Sequence, residues 1–359
     1  MGNQRTMKYQ RLLFAIIAFT SLFSCKNVTT KIEKEENIVV KEEIQDSTFC
    51  KLKKLSEFKN TQFIPTLEHV ISYDKNSVYC ATFLFAWNEI RKQINSPLTI
   101  PDKYADLKLL NQSTSFFNVL KNDEYDVKVE MEGFKIKAKA EFNKSLPFEL
   151  KLQSFKNKLS FDGQKVASFG VTGKDEPEQL KIVQIVYYKN NNNFIIKLLP
   201  KEKDHEIILF KTDQKFTTMA EMSSEIEKLT IIGKKERKNQ KMSWKYKFNE
   251  EDLVVIPKFN FNIETHYSTL EGNNFSSETD NYLVEKAWQR TAFILDESGA
   301  KVESEAFVVV DLIYIEENEK PKPKKMIFDK PFLILLKRTD AKNPYFGLWI
   351  TNTELMIKE

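Results

Sequence analysis

Runs in which apolar and charged residues alternate at period two constrain this chain most. Val127, Val129 and Met131 alternate with charged neighbours, and so do Phe134, Ile136, Ala138, Ala140 and Phe142. A strand turns successive side chains to opposite faces, so these runs are half-buried β-strands. Further strand-forming runs fall at 165–171, 180–188, 194–199, 245–248, 253–265, 283–295, 306–315, 326–337 and 345–350. Helical spacing is rarer. From Asn76 onward, Phe83, Trp87, Ile90 and Ile94 predict an amphipathic helix of about four turns, and 219–229 predicts a second helix. Residues 98–125 read as irregular or short helices. With few glycines, no alternation of strands with crossover helices and no internal repeat, the pattern predicts an α+β fold with mostly antiparallel sheets.

Composition narrows the function. The chain has 359 residues, 41% hydrophobic and 30% charged, which excludes a disordered protein and permits a sizeable core. It holds only 9 Gly and 3 His, and no Gly-x-Gly-x-x-Gly, P-loop, His-Glu-x-x-His or Cys-x-x-Cys spacing occurs. Neither a cofactor nor a metal is therefore expected. His69, His205 and His266 sit in no motif that assembles a triad, so they read as surface or hydrogen-bonded strand histidines, and an enzyme is not expected. The formal net charge is +4. Residues 1–24 supply Arg5, Lys8 and Arg11 with no acidic residue; without them 52 basic side chains face 51 acidic ones. Nucleic-acid binding needs a clustered basic surface rather than a near-neutral total, so no nucleic acid is expected as a partner.

The basic start is followed by an apolar run, Leu12-Leu-Phe-Ala-Ile-Ile-Ala-Phe-Thr-Ser-Leu-Phe23, too short for an ordinary membrane span and right for a signal peptide over 1–24. Leu22-Phe23-Ser24-Cys25 resembles the lipobox of bacterial lipoproteins, with Phe23 bulkier than that motif usually has. The resemblance implies acylation of Cys25, a membrane partner through the N-terminal lipid, and a place in the bacterial cell envelope as an outer-membrane or surface lipoprotein. A plain signal peptide with an incidental cysteine would make the protein extracellular instead. Residues 25–49 are rich in Lys and Glu and read as a charged tether, leaving 50–359 as a single domain. In a secreted protein Cys50 and Cys80 could form a disulfide, and two buried free thiols are the alternative.

Three segments carry a further likeness: Phe194-Ile-Ile-Lys-Leu-Leu-Pro-Lys, Leu253-Val-Val-Ile-Pro-Lys-Phe-Asn-Phe-Asn-Ile-Glu-Thr-His-Tyr267, and Phe328-Asp-Lys-Pro-Phe-Leu-Ile-Leu-Leu-Lys-Arg338 with Tyr345-Phe-Gly-Leu-Trp-Ile-Thr-Asn352. In this order and spacing they resemble the serpins, matching respectively a sheet strand, the Leu-Pro-Lys-Phe strand with a Tyr-containing helix start, and the terminal strand pair. The likeness runs from about Phe142 to Asn352. The N-terminal helical part looks abbreviated, and Ala140-Glu-Phe-Asn-Lys-Ser-Leu-Pro-Phe148 matches a shortened central-sheet strand without its Trp. The resemblance implies large, mostly antiparallel sheets with helices packed on them, an exposed reactive-centre loop, and a monomer whose partner is a serine or cysteine protease. It also implies loop cleavage followed by insertion of the loop into the central sheet. A non-inhibitory binding protein of the same fold is the alternative.

Arg290-Thr-Ala-Phe-Ile-Leu-Asp-Glu-Ser-Gly299 resembles the strand that leads into such a loop. After Gly299, residues Ala300, Val302, Ser304 and Ala306 fall on one face of an extended strand, while Lys301, Glu303 and Glu305 fall on the other. Small uncharged residues on one face suit a strand that enters a sheet over a tight core; Val302 is larger than the Ala usual there. The bait bond is expected near Ile313 and Tyr314, which suits a protease with an apolar pocket. Counting back from Phe328 gives Lys320 instead, where Pro321 would hinder cleavage. The basic cluster 320–325 reads as a solvated loop.

Overall fold

The most apolar runs of the chain form the middle of a seven-stranded sheet. Its order is Thr61–Ile64, Asn76–Cys80, Phe346–Ile350, Phe332–Arg338, His205–Lys211, Asn193–Leu198 and Val183–Asn190. His205–Lys211 and Phe346–Ile350 are buried at every residue, and Phe332–Arg338 at all but one. Strands covered on both faces read as continuous apolar runs rather than alternating ones, as Phe332-Leu-Ile-Leu-Leu does. In this computed structural model the described residues are 49–132, 135–300 and 322–358. The leader, Cys25 and the tether lie outside them. So do Val302, Ser304, Ala306, Ile313, Tyr314 and the strand expected at 306–315.

A five-stranded sheet runs in the order Lys53–Lys54, Phe259–His266, Trp288–Asp296, Gly299–Ala300, Leu146–Pro147. A four-stranded sheet runs Lys325–Ile327, Leu253–Pro257, Gln164–Thr172, Gln153–Phe161. Two separate hairpins, Asp126–Glu132 with Lys135–Glu141 and Asn274–Ser276 with Asn281–Leu283, complete the strands. All named pairs are antiparallel except three: 61–64 with 76–79, 53–54 with 263–264, and 253–255 with 325–327. The helices are α1 (Thr82–Ile94), α2 (Ala105–Gln112), the single turn α3 (Pro177–Leu180) and α4 (Met219–Arg237). The architecture is mixed α+β with several sheets and few helices.

Phenylalanine rings tie the three larger sheets together, with Phe161 of the four-stranded sheet meeting Phe332 at 6.3 Å. Phe194 meets Phe328 at 5.1 Å between centroids and Phe328 meets Phe332 at 4.8 Å. The path continues through Phe259 at 6.4 Å, Phe293 at 6.3 Å and Phe346 at 4.6 Å. Each such pair contributes about 0.5–1.5 kcal/mol beyond its buried area.

Several boundaries differ from the sequence reading. The helix expected from Asn76 starts at Thr82, because Asn76–Cys80 is an interior strand of the seven-stranded sheet. The run 253–265 is two strands in different sheets, parted at Lys258, whose N–H bonds to the Ala167 carbonyl. The run 326–337 divides in the same way between Lys325–Ile327 and Phe332–Arg338. Residues 245–248 form no strand; Ser243–Tyr246 is a 3-10 turn, with the Tyr246 hydroxyl donating to Glu236 at 2.7 Å. No helix starts at Tyr267, whose residues 267–271 make a turn closed by hydrogen bonds back to its carbonyl. Of the stretch 140–148 expected as a shortened central-sheet strand, Ala140 and Glu141 pair only with the hairpin strand before them, while Leu146–Pro147 joins the five-stranded sheet beside Gly299–Ala300. Cys50 and Cys80 are both free: Cys50 Sγ donates to the Asn260 carbonyl at 3.5 Å, and Cys80 Sγ accepts from the Thr82 hydroxyl at 3.5 Å.

Candidate functional site

The segment singled out at Gly299 is built as follows. The strand Trp288–Asp296 reverses through Glu297 and Ser298, with Asp296 Oδ1 accepting from the Ser298 N–H at 2.7 Å. The chain returns as Gly299–Ala300, paired with Asp296 and Leu295 on one side and with Pro147 and Leu146 on the other. Both residues are buried. Gly299 has φ +133°, and a Cβ there would lie 2.5 Å from the Leu146 carbonyl oxygen and 2.6 Å from Pro147 Cα. Only glycine fits. The turn is tied down further: the Phe148 and Leu152 N–H groups donate to the Ser298 and Glu297 carbonyls, and Lys258 pairs with Glu297 at 2.6 Å.

Ala300 therefore sits inside a sheet, on the buried side that its alternation predicted. Beyond this point the Trp288–Asp296 strand has one edge paired with Phe259–His266 and no strand on its other edge among the described residues. Gln289, Thr291, Phe293 and Leu295 are buried on one face; on the other, Trp288 and Arg290 are exposed, Ala292 is half-buried and Ile294 is buried. Gln289 is held from below. Its Nε2 donates to the Thr82 hydroxyl at 2.8 Å, at the start of α1, and its Oε1 accepts from the Tyr267 hydroxyl at 2.5 Å. Burial pushes the Tyr267 phenol well above its usual value, so it stays a donor.

The two-residue strand Leu146–Pro147 is anchored by an ion-pair hub just before it. Lys144 reaches Glu124 at 2.5 Å. Glu124 also takes His205 Nε2 at 2.9 Å and Arg338 Nη1 at 3.0 Å. Arg338 continues to Asp204 at 2.9 Å and Asp340 at 3.0 Å, and His205 Nδ1 lies 3.2 Å from the Tyr345 hydroxyl. Burial opposes ionisation of Glu124, yet the Lys121 N–H, Lys144 and His205 hold its carboxyl down at about 2. Burial, with Lys144 nearby, holds the His205 ring below the ordinary imidazole value. Ligand atoms of Glu124, Asp204 and His205 lie within 4.8 Å of one another, the spacing of a metal site. Both Glu124 oxygens already face a cation, so the chemistry this cluster performs as it stands is charge compensation.

The other root of the 301–321 segment is Lys324. Its side chain and that of Asp252 are fully buried, 2.6 Å apart, with the ammonium 5.5 Å above the Trp244 ring. The Lys324 N–H donates to Asp252 Oδ1 at 2.7 Å, and Lys325–Ile327 then joins the four-stranded sheet. The cluster expected to be solvated is thus buried at this residue, because Asp252 neutralises it. The turn at Gly299 and the buried side of Ala300 were legible in the sequence. Asp252, Lys324, Glu124, His205, Lys144 and Gln289 were not, since each acquires its partner through long-range packing.

No protein-family model matches the chain, and no curated protein matches it. Solved structures do. Serpin48 of the insect Tenebrio molitor is 14% identical, with 70% of this chain and 63% of that one covered at TM-score 0.31. Maspin is 14% identical, with 74% and 66% covered at TM-score 0.35. Thyroxine-binding globulin, solved in complex with thyroxine, is 10% identical, with 70% and 63% covered at TM-score 0.33. The first of these is a serpin. The match spans about 63% of the length of that structure.

Proposed function

We propose that this protein is a secreted or surface-anchored serpin-like inhibitor of a serine or cysteine protease. The protease cleaves within 301–321, and the freed strand inserts beside Trp288–Asp296. One observation carries the reading: Gly299–Ala300 already occupies the head of that edge, and no strand of the described residues pairs with the rest of it. Extending the register Leu295↔Ala300 brings Val302 opposite Phe293, Ser304 opposite Thr291 and Ala306 opposite Gln289, all buried positions. The same register brings Glu305 opposite the exposed Arg290, an opposite-charge pair on the outer face. Insertion would gain main-chain pairing for an otherwise open edge, and the bait near Ile313 and Tyr314 selects an apolar protease pocket. The protein acts once per molecule rather than turning over. Processing at 1–24 and acylation of Cys25 would hold it at the bacterial envelope.

Incubation with proteases of apolar specificity is expected to give a covalent complex stable to boiling in detergent, and a large rise in melting temperature after cleavage. Ser304→Arg should abolish both, because a charged side chain cannot enter the buried face opposite Thr291, whereas Ala300 is buried in the sheet before any cleavage. Cleavage with neither a complex nor a gain in heat stability overturns the reading. It would favour the second one, a non-inhibitory binding protein of this fold. One observation supports that alternative: Leu146–Pro147, the strand on the far side of the hinge, is only two residues long, so most of an inserted strand would be paired along one edge.

A further inference from the structure

The C-terminal half of α4 presents a face of unusual chemistry. The helix is fixed in rotation by buried Met219, Met222, Ile226 and Gly233. A Cβ on Gly233 would lie 2.0 Å from the Val186 carbonyl oxygen, and Arg237 Nη2 donates to the Ile185 carbonyl at 2.7 Å. The opposite face cannot roll inward. At about 100° per residue, Ile231, Lys235 and Lys238 form a stripe flanked by Ile232 and Lys234. All five are exposed, Ile231 at 55% and Ile232 at 43%. Beyond the helix, exposed Lys241 and Met242 extend the same mixture.

Acidic residues on α4 fall mainly in its first half, at Glu221, Glu225 and Glu227, and Lys228 pairs with Glu225. Glu236 is taken by Lys245 and the Tyr246 hydroxyl. Lys234, Lys235 and Lys238 form no ion pair among the described residues. The helix dipole explains acids at the start and bases at the end. It does not explain two adjacent exposed isoleucines among uncompensated lysines.

We propose that this face of α4 docks on an anionic lipid surface, with Ile231 and Ile232 entering the headgroup boundary and Lys234, Lys235 and Lys238 meeting lipid phosphates. Interfacial helices bind through this combination of apolar burial and attraction to anionic headgroups. A soluble polyanion would engage the lysines and leave the isoleucines in water, which is why a lipid surface is the better fit. The surface acts independently of any acyl chain on Cys25.

The test uses the chain from Lys26 to Glu359, which lacks the apolar leader and Cys25 and retains the whole described core. It is sedimented with phosphatidylcholine vesicles with and without phosphatidylglycerol. Binding is expected only with phosphatidylglycerol, and should weaken with salt. Each lysine near an anionic surface contributes about fivefold in affinity, so Lys234→Glu/Lys235→Glu/Lys238→Glu should lose about a hundredfold or more. Ile231→Ser/Ile232→Ser should also weaken binding, with melting temperatures of all variants equal to the parent's. Equal binding of parent and charge-reversed protein, or equal binding to neutral vesicles, overturns the proposal. Capture by soluble polyphosphate that the isoleucine substitutions leave unchanged overturns it too, in favour of a polyanion site.

Discussion

Lys324 shows how far one residue can depart from what its neighbours advertise. It lies in Lys322-Pro-Lys-Lys325, a string that reads as solvent-exposed, yet its side chain has no exposure at all. The cause is Asp252, 72 positions away, which accepts from the Lys324 backbone and ammonium and from the Asn249 N–H at 2.9 Å. Removing one member of a buried pair strands the other, at a cost of about 3–5 kcal/mol. Lys324→Met should therefore lower the stability measured by urea unfolding by that amount. Adding Asp252→Asn, which removes the stranded charge and keeps one acceptor oxygen for the two backbone donors, should recover part of it. A Lys324→Met variant as stable as the parent would sink this account. Gly299 is the opposite case: an Asp-Glu-Ser-Gly turn after an apolar strand is readable locally, because the conformational demand sits within the turn itself.

At the scale of elements, the hub before Leu146–Pro147 makes the strand it anchors, and Gly299–Ala300 paired with it, sensitive to acid. His205 faces Glu124, Tyr345, Glu202 and Asp204, with Lys144 and Arg338 close by. Because the folded state holds His205 below its ordinary 6.5, the unfolded chain takes up that proton more readily. Stability is thus lost as pH falls through 6.5. Glu124 is held at about 2 against its ordinary 4.5, so its contribution is present above 4.5 and fades as pH falls towards 2. Both act in the same direction. Urea unfolding across pH 8 to 4 should show falling stability, and Glu124→Gln should be less stable near neutrality with a flatter profile below 4.5. A parent whose stability is constant over that range contradicts the assignment. Elements themselves were legible where periodicity is clean: Asp126–Glu132 and Lys135–Glu141 alternate strictly, and α4 begins where expected at Met219 but runs on past 229 to Arg237. They were misread where one apolar run serves two sheets, as at Lys258, because hydrophobicity records burial but not the sheet in which it occurs.

For the molecule as a whole, the sequence disclosed the class of fold and the face that Ala300 would bury. Sheet membership was hidden, since strand partners lie far apart in the chain: Asn76–Cys80 pairs with Phe346–Ile350, and Leu253–Pro257 with Gln164–Thr172. The same long-range order decides what cutting the chain would do. The last two strands stand third and fourth in the seven-stranded sheet, bonded on both sides, with Phe332 and Phe346 in the chain of rings that joins the sheets. A polypeptide severed anywhere in 301–321 would yield a C-terminal fragment that is interior to the particle rather than attached to its rim. Gel filtration of the nicked protein should give one peak at the parent's volume, while a denaturing gel gives two bands; separate elution would refute it. A cut within 301–321 is thus followed by the stretch the fold can least release, so that proteolysis there ends a covalent link without ending a molecule.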